Sequence, residues 1–412
     1  MDAVCDICCG IDVHKRSVTA CLRRRDGHGR LTTEVRTFAT TTAALLELAD
    51  WLTEAGCTHA ALESTGVYWR PVFNLLEGVV PNLLLVNAQH VKHVPGRKTD
   101  VKDAAWLAEL LQHGLLRPSF VPGSDQRDLR ELTRYRKVLV QQRADECNRI
   151  QKLLELCNIK LASVATDVLG VSGRAMLEAI ADGADDPAQL AELARGRLRA
   201  KIPQLAEALR GLVRDHHRWL LRTQLDHIAH LDAAITRLDE EIKRRCETFT
   251  QQLERLSTIP GVSRRTAEVL VAEVGTDMSR FPDAGHLASW AGMCPGNHQS
   301  AGRSPSGRTR PGNPWLKAAL VEAAWAASHT KGTYLSGLDH RVARRRGKKR
   351  AGVAVGHAIL RAVYVLLADP DRQYLDLGAD HFDLLNRDRL KRRLIDRLEA
   401  LGVKVTIEEA AA

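Results

Sequence analysis

CCGIDV, residues 8–13, is an apolar run with one carboxylate, Asp12, set inside it. Such a run reads as a buried strand, and an aspartate there is expensive to bury without a cation or another partner. HAALES, residues 59–64, repeats the pattern and ends on Glu63, just before a Ser-Thr-Gly turn. That places Glu63 at the C-terminal edge of a strand, where open α/β sites form. KTDVKDAAWLAELL, residues 98–111, adds Asp100 and Asp103, whose three-residue step puts both on one face of a helix start. Together Asp12, Glu63, Asp100 and Asp103 make a set of hard oxygen donors for magnesium or manganese. Paired cations about 3.5–4 Å apart are the means by which such sets clamp a phosphodiester. Asp100 has a second use as the charge, or with Thr99 the cap, at a helix N-terminus, which leaves Asp103 the better ligand of the two.

Around these acids the first 120 residues alternate strand and helix. Strand patterns cover 4–13, 17–23, 31–38, 59–63 and 83–87, and amphipathic helix patterns cover 42–55 and 68–76. Short turns join the first three strands, DGHG at 26–29 being the clearest. A three-strand meander followed by helix, strand, helix, strand, helix is the RNase H-like (RuvC-like) order. The crossovers between its later strands are expected to be right-handed.

From Gly123 the texture becomes continuous charged helix. A first long helix is expected over 125–157 and a second over 216–255, the latter with Ile228, Leu231, Ile235, Leu238 and Ile242 spaced by threes and fours. That spacing is a coiled-coil seam, able to pair within the chain or across chains. Between the two, residues 170–210 read as a helical insert broken by DGADDP. LSTIPGVSRRTAEVLVAEVG, residues 256–275, reads as helix, Pro-Gly turn, helix. This resembles a helix-hairpin-helix element, whose second helix N-terminus can face a phosphate. A plain αα-hairpin has the same pattern. The expected domains are 1–122, 123–255 and a mostly helical 256–412, an α/β unit followed by α.

Composition points the same way. The chain of 412 residues has a net charge of +10 and only 4% aromatic residues, so a polyanionic partner is favoured and base stacking is not its main means of binding. Between Ser300 and Arg350 twelve Lys or Arg face only Glu322 and Asp339. Nine cysteines, an odd number, lie in predicted strands and helices, and no second CxxC or His pair accompanies Cys5, Cys8 and Cys9. They read as buried structural thiols of a reduced, cytoplasmic protein rather than a zinc site. Asp2 and Asp6 break the N-terminus before a secretory leader can form, and no apolar run reaches the ~18 residues of a membrane span.

Basic residues flank each motif. Arg97, Lys98 and Lys102 surround the acid pair at 100 and 103, with His90 and His93 nearby. GMCPGNHQSAGRSPSGRTRPGNP, residues 292–314, is a long Gly- and Arg-rich stretch; stretches of this length inside compact domains are usually functional or disordered, and the helix patterns on both sides favour functional. Ser300, flanked by small residues, is its candidate nucleophile. Ser304 and Ser306 are rivals, and a merely hydrogen-bonding serine is the ordinary case. Arg303, Arg308 and Arg310 can hold phosphate oxygens through bidentate guanidinium contacts. Seven of the ten residues from Arg341 to Arg350 are basic, namely Arg341, Arg344, Arg345, Arg346, Lys348, Lys349 and Arg350. They suit the tracking of RNA or DNA phosphates.

Six quoted segments now make a pattern: GIDVHK (10–15), ALESTGVYWRPV (61–72), KTDVKDAAWLAELL (98–111), IPGVSRRTAEVLVAEVG (259–275), GMCPGNHQSAGRSPSGRTRPGNPWLKAALVEAA (292–324) and ARRRGKKRAGVAVGHAIL (343–360). In this order they resemble the DEDD transposases of bacterial insertion sequences, the "one-ten" family, over about residues 6–382. The resemblance implies that Asp12, Glu63, Asp100 and Asp103 are metal-binding acids. It also implies that Ser300 attacks DNA to form a phosphoserine intermediate. The resemblance further implies that donor and target DNA are chosen through a structured guide (bridge) RNA, in a dimer or tetramer associated with the nucleoid when active. The family pattern does not constrain the insert at 170–210. No GxxxxGK[ST] loop occurs, as expected of a reaction that keeps its bond energy in an ester. The rival reading is a RuvC-like metal-dependent nuclease that hydrolyses branched DNA, with Ser300 structural. A non-enzymatic binder with a decayed acid site is a weaker third.

Overall fold

Apolar alternation produces the strands β1 (Ile7–Val13), β2 (Ser17–Arg25), β3 (Leu31–Ala39), β4 (His59–Glu63) and β5 (Asn82–Val86). With them come the helices α1 (Thr42–Glu54), α2 (Trp69–Leu76) and α3 (Asp103–Gln112). The computed structural model describes residues 4–28, 30–64, 66–87, 103–296, 308–385 and 387–406. The chain divides at Pro122/Gly123 into two compact units.

In the first unit one mixed sheet has the order β3-β2-β1-β4-β5. β1 is antiparallel to β2 and parallel to β4, and β4 is parallel to β5. This is the RNase H-like arrangement expected from the order of elements. One face carries Ile11, Val18, Leu22 and Leu62, buried with Leu45, Leu48 and Leu52 of α1 and Val72 and Leu76 of α2. The other face receives α3. Gly10 is what lets it in: a Cβ there would stand 2.1 Å from the Ala104 carbonyl oxygen and 2.4 Å from the Ala108 nitrogen. β1 starts at Ile7 rather than at residue 4. Val4 is exposed, and its N–H donates to the Gln112 carbonyl at the end of α3.

The buried thiols belong to these packed faces. Cys8 and Cys9 are fully buried, and burial pushes both thiols well above the ordinary thiol range. All nine cysteines are free. No cluster of three metal-ligating side chains exists among the described residues.

The second unit is built on two long antiparallel helices, α4 (Ser124–Leu156) and α5 (Asp215–Arg245). Ion pairs rung them together: Asp128 with Arg245 at 3.0 Å, Arg136 with Asp239, Arg143 with Asp232, and Glu146 with His227 at 3.4 Å. Of the five seam positions only Ile228, Leu231 and Ile242 are buried, so charge shares the seam with apolar contact. The insert folds against one end of this pair as short helices around Met176, Leu177, Ile180, Leu190 and Leu205, which pack on Ile150, Leu154, Leu221 and Leu225. At the other end lies the C-terminal core.

One expectation is corrected here. The second long helix does not reach residue 255: it ends at Arg245, and a 3-10 turn follows before α6 (Thr250–Ser257). The turn lets Leu253 and Leu256 join Ile242 and the buried Cys246 in one core. That core runs on through Ile259, Leu270, Leu316, Leu320, Val355 and Ile359, so packing is continuous across the expected boundary at 255/256.

α7 (Arg264–Val274) follows α6 through the Pro-Gly turn, with Ser263 as its cap. Gly261 has φ +84°, and a Cβ on it would lie 2.3 Å from the Ala323 carbonyl oxygen, in α8 (Pro314–His329). The turn is therefore a packing joint against α8. α9 (Tyr334–Arg346) and α10 (Lys348–Ala368) follow. By length and composition α10 could cross a membrane, but its Val355, Ile359, Leu360 and Val363 are fully buried in the C-terminal core.

Replacing Gly10 by alanine tests the seat of α3. The added methyl overpacks a backbone-to-backbone contact, so a loss of about 1–3 kcal/mol is expected by chemical denaturation. Unaltered stability would mean that α3 does not rest on Gly10.

Candidate functional site

Register decides where the acids stand. β1 and β4 run parallel with Gly10 beside Ala61 and Ile11 beside Leu62, so one step further Asp12 stands beside Glu63. Neighbours in one row point to the same face and sit about 4.8 Å apart. That face is the one bearing α3, because Cys8 Sγ donates to the Ala108 carbonyl and Gly10 meets Ala104. Progress from Cys8 to Gly10 along β1 matches retreat from Ala108 to Ala104 along α3. The helix thus runs against the strand, and its first residue, Asp103, falls at the end of the sheet where Asp12 and Glu63 lie.

Three of the four expected acids are gathered in this way on one face and one edge. The fourth, Asp100, lies outside the described residues, as do Arg97, Lys98, Lys102, His90 and His93. Asp12 is mostly buried, with 19% of its side chain exposed, and His14 Nε2 reaches its Oδ2 at 3.0 Å. His14 follows from strand alternation, since residues two apart share a face. Sequence alone does not single it out, because it sits in a turn, where His14 N–H donates to the Ser17 carbonyl. As the side chains stand, no three carboxylate or imidazole groups among the described residues are close enough to hold one ion. The donor set is nevertheless all carboxylate at its centre, the chemistry preferred by hard divalent cations.

In the second unit Ser300, Arg303, Ser304 and Ser306 lie outside the described residues, but both ends of their stretch are described. Pro295 and Thr309 form an antiparallel bridge, and Gly296 N–H donates to the Arg308 carbonyl at 2.9 Å. Arg308 and Arg310 are exposed beside this stem. Lys317 of α8 ties it down, donating to Thr309 Oγ1 at 2.6 Å and to the Gly292 carbonyl at 3.4 Å.

The basic run occupies the junction of α9 and α10. Arg344, Arg345 and Arg346 close α9, where cations suit the helix dipole. Lys348, Lys349 and Arg350 open α10, where they oppose it. All six are exposed. No described residue forms an ion pair with any of them, whereas Arg341 lies over the Phe382 ring at 5.2 Å. Cations crowded at a helix N-terminus without counter-charge are relieved by a bound polyanion.

Comparison with known proteins adds the family. A family model described as "Transposase", of the DEDD and IS110 type, matches residues 9–159. A second, "Transposase IS116/IS110/IS902 family", matches residues 253–338. Together they span more than half of the chain. It belongs to the IS110 family of DEDD transposases. Relatives include a "Probable family 20 transposase" of Pseudomonas aeruginosa, 24% identical over 69% of this chain and 76% of its own length. The transposase for insertion sequence element IS1111A of Coxiella burnetii is 27% identical over 69% of this chain and 70% of its own. A pilin gene-inverting protein of Moraxella bovis is 40% identical over 18% of this chain and 24% of its own. Thermus thermophilus RuvC overlaps 27% of this chain and 99% of its own at 14% identity and a TM-score of 0.22. The RNase H-like assignment rests on the strand order instead. The transposase is thus an enzyme that cuts and rejoins DNA, with an RNase H-like α/β unit and a helical C-terminal part.

If Asp12 belongs to the metal-holding set, Asp12→Asn lowers strand cleavage by about 100-fold or more while DNA binding persists. Cleavage at the parental rate in a gel assay would remove Asp12 from the set.

Proposed function

We propose that this transposase moves an insertion sequence by serine-mediated strand exchange, guided by a structured RNA and supported by a divalent cation. The observation that carries the reading is the row shared by Asp12 and Glu63, with Asp103 at the same end of the same face. With Asp100, these are the residues that would hold magnesium or manganese. A cation so held supplies Lewis-acid polarisation of a phosphate oxygen and lowers the pKa of an adjacent hydroxyl.

The remaining chemistry belongs to the chain. Ser300 Oγ loses its proton and forms an ester to the scissile phosphorus as the phosphorus–oxygen bond to the deoxyribose breaks, and the departing deoxyribose oxygen takes up a proton to become a free hydroxyl. Attack by another strand's hydroxyl reverses the step and frees the serine, so rejoining needs no nucleotide cofactor. Arg303, Arg308 and Arg310 steady the phosphate oxygens, and the stem at Pro295 and Thr309 supports the exposed position of the last two. Arg97, Lys98 and Lys102 neutralise phosphates next to the acids. The run from Arg344 to Arg350 holds RNA or DNA backbone, a role supported by its lack of ion pairs with the described residues. Sequence choice then rests with base pairing to the guide. Exposed Tyr135, Val138 and Trp219 on the long helices support pairing of subunits into a dimer or tetramer.

The test incubates the protein with magnesium, element-end RNA and labelled donor and target DNA, followed by a denaturing protein gel. A labelled band absent in Ser300→Ala is expected. Cleaved DNA without an adduct would assign the acids to a hydrolytic nuclease, and an adduct that survives Ser300→Ala would move the nucleophile to Ser304 or Ser306. Separately, replacing Arg344, Arg345 and Arg346 by glutamine weakens binding and flattens its salt dependence, by about one unit of slope per lost phosphate contact. An unchanged slope would leave that run facing solvent.

A further inference from the structure

Glu273 is the most deeply buried carboxylate of the second unit, with none of its side chain exposed. It sits near the end of α7, in a helix whose pattern gives no reason for a charge. A buried carboxylate must be matched by donors, and each of its donors can be named. Arg134 of α4 grips it with both arms, Nε to Oε1 at 2.7 Å and Nη2 to Oε2 at 2.7 Å. Arg130, one turn earlier, stands 3.6 Å from Oε2 and donates to the Ala272 carbonyl at 2.9 Å and to the Glu273 carbonyl. Burial draws the Arg130 pKa down to about 10, against the pull of Glu273. The last donor is Asn313, whose Nδ2 lies 2.6 Å from Glu273 Oε2.

Asn313 is where this network meets the reaction. Its Oδ1 accepts from Trp315 N and Leu316 N, capping α8, while its amide nitrogen holds Glu273. It is also the residue at which the Gly- and Arg-rich stretch becomes helix. Just before it, Gly312 is pressed on Gly292 so tightly that a Cβ would fall 2.3 Å from the Gly292 nitrogen. Both strands of the stem are therefore anchored, one through Asn313 to Glu273 and the other through Lys317 to the Gly292 carbonyl. The arginine on the far side stacks the joint shut: the Arg134 guanidinium lies over the Trp315 ring at 5.7 Å.

Solubility or bulk stability does not require so exact a joint, since buried ion pairs are poor sources of stability and are best attested as devices that fix register. We propose that Glu273, Asn313 and Lys317 are positioning residues for strand transfer. They hold the stem so that Arg308, Arg310 and the serine beyond them meet the phosphate in one orientation. This rests on the reading of Ser300 as nucleophile. None of the three touches DNA; each acts through the stem.

Glu273 itself is a poor probe, because its removal strands two half-buried arginines and threatens folding. Asn313→Ser is cleaner: its hydroxyl still caps the helix but is too short to span from the cap to Glu273 as the Asn313 amide does. Lys317→Met cuts the second tie, and Lys317→Arg restores a donor of similar reach. The experiment measures single-turnover adduct formation, DNA binding and thermal unfolding for these variants, the parent and Ser300→Ala, with the complete RNA and DNA. Asn313→Ser and Lys317→Met are expected to slow adduct formation about 10- to 100-fold, the scale of a misplaced reacting group. DNA binding should stay at the parental value, unfolding temperature should fall only by the few degrees that one lost hydrogen bond costs, and Lys317→Arg should recover the rate. Parental rates in both variants would overturn the positioning proposal and leave the serine reading intact. Slowing accompanied by an equal loss of DNA binding, or by a fall in unfolding temperature large enough to leave the variants partly unfolded in the assay, would also overturn it, by reducing the joint to a structural one. No adduct from the parent protein would take down the serine reading and this proposal together.

Discussion

The contact on which the first unit depends is backbone against backbone, at Gly10. Only there does β1 present no side chain to α3, and only there can the helix lie close enough to run antiparallel over the strand. That approach brings the start of α3, and with it Asp103, to the edge where β1 and β4 end. Sheet register independently sets Asp12 beside Glu63 at the same edge. Two unrelated constraints, a missing Cβ and a parallel register, thus bring three carboxylate-bearing residues to one edge of the sheet, where His14 already leans on Asp12.

The second unit solves a different problem. A long Gly- and Arg-rich stretch has little apolar content with which to hold itself, so its ends must be fixed from outside. The structure does this with charge buried among helices: Arg134 and Arg130 on Glu273, Glu273 on Asn313, and Lys317 on the stem. The antiparallel pair α4 and α5 supplies the frame, and its ion-pair rungs explain how a seam with half-buried Ile235 and Leu238 still pairs within the chain.

Much of this was legible in the sequence because it depends on local pattern. Strands in the RNase H-like unit read as apolar runs, and acids at their ends read as exceptions to those runs. The long helices announced themselves by period. What the sequence hid depends on partners far along the chain. The break after Arg245 was invisible because Leu253 and Leu256 keep a helical spacing relative to Ile242 while the backbone turns between them to reach a shared core. Glu273 in AEVLVAEVG reads as an ordinary solvated helix position, since its ligands lie 139 residues before it and 40 after it. The Pro-Gly turn was readable as a turn, but its burial against α8 was not, because only the fold shows that Gly261 faces the Ala323 carbonyl. His14 was within reach of simple alternation.

We propose the edge formed by Asp12, Glu63 and Asp103 as a site for a divalent cation. The most direct measurement is manganese binding to the purified protein, followed by electron paramagnetic resonance as the free-ion signal is lost. Saturable binding is predicted for the parent chain, with marked weakening in Glu63→Gln and in Asp103→Asn. Equal binding by the parent and both variants would contradict the claim and place any metal elsewhere in the molecule.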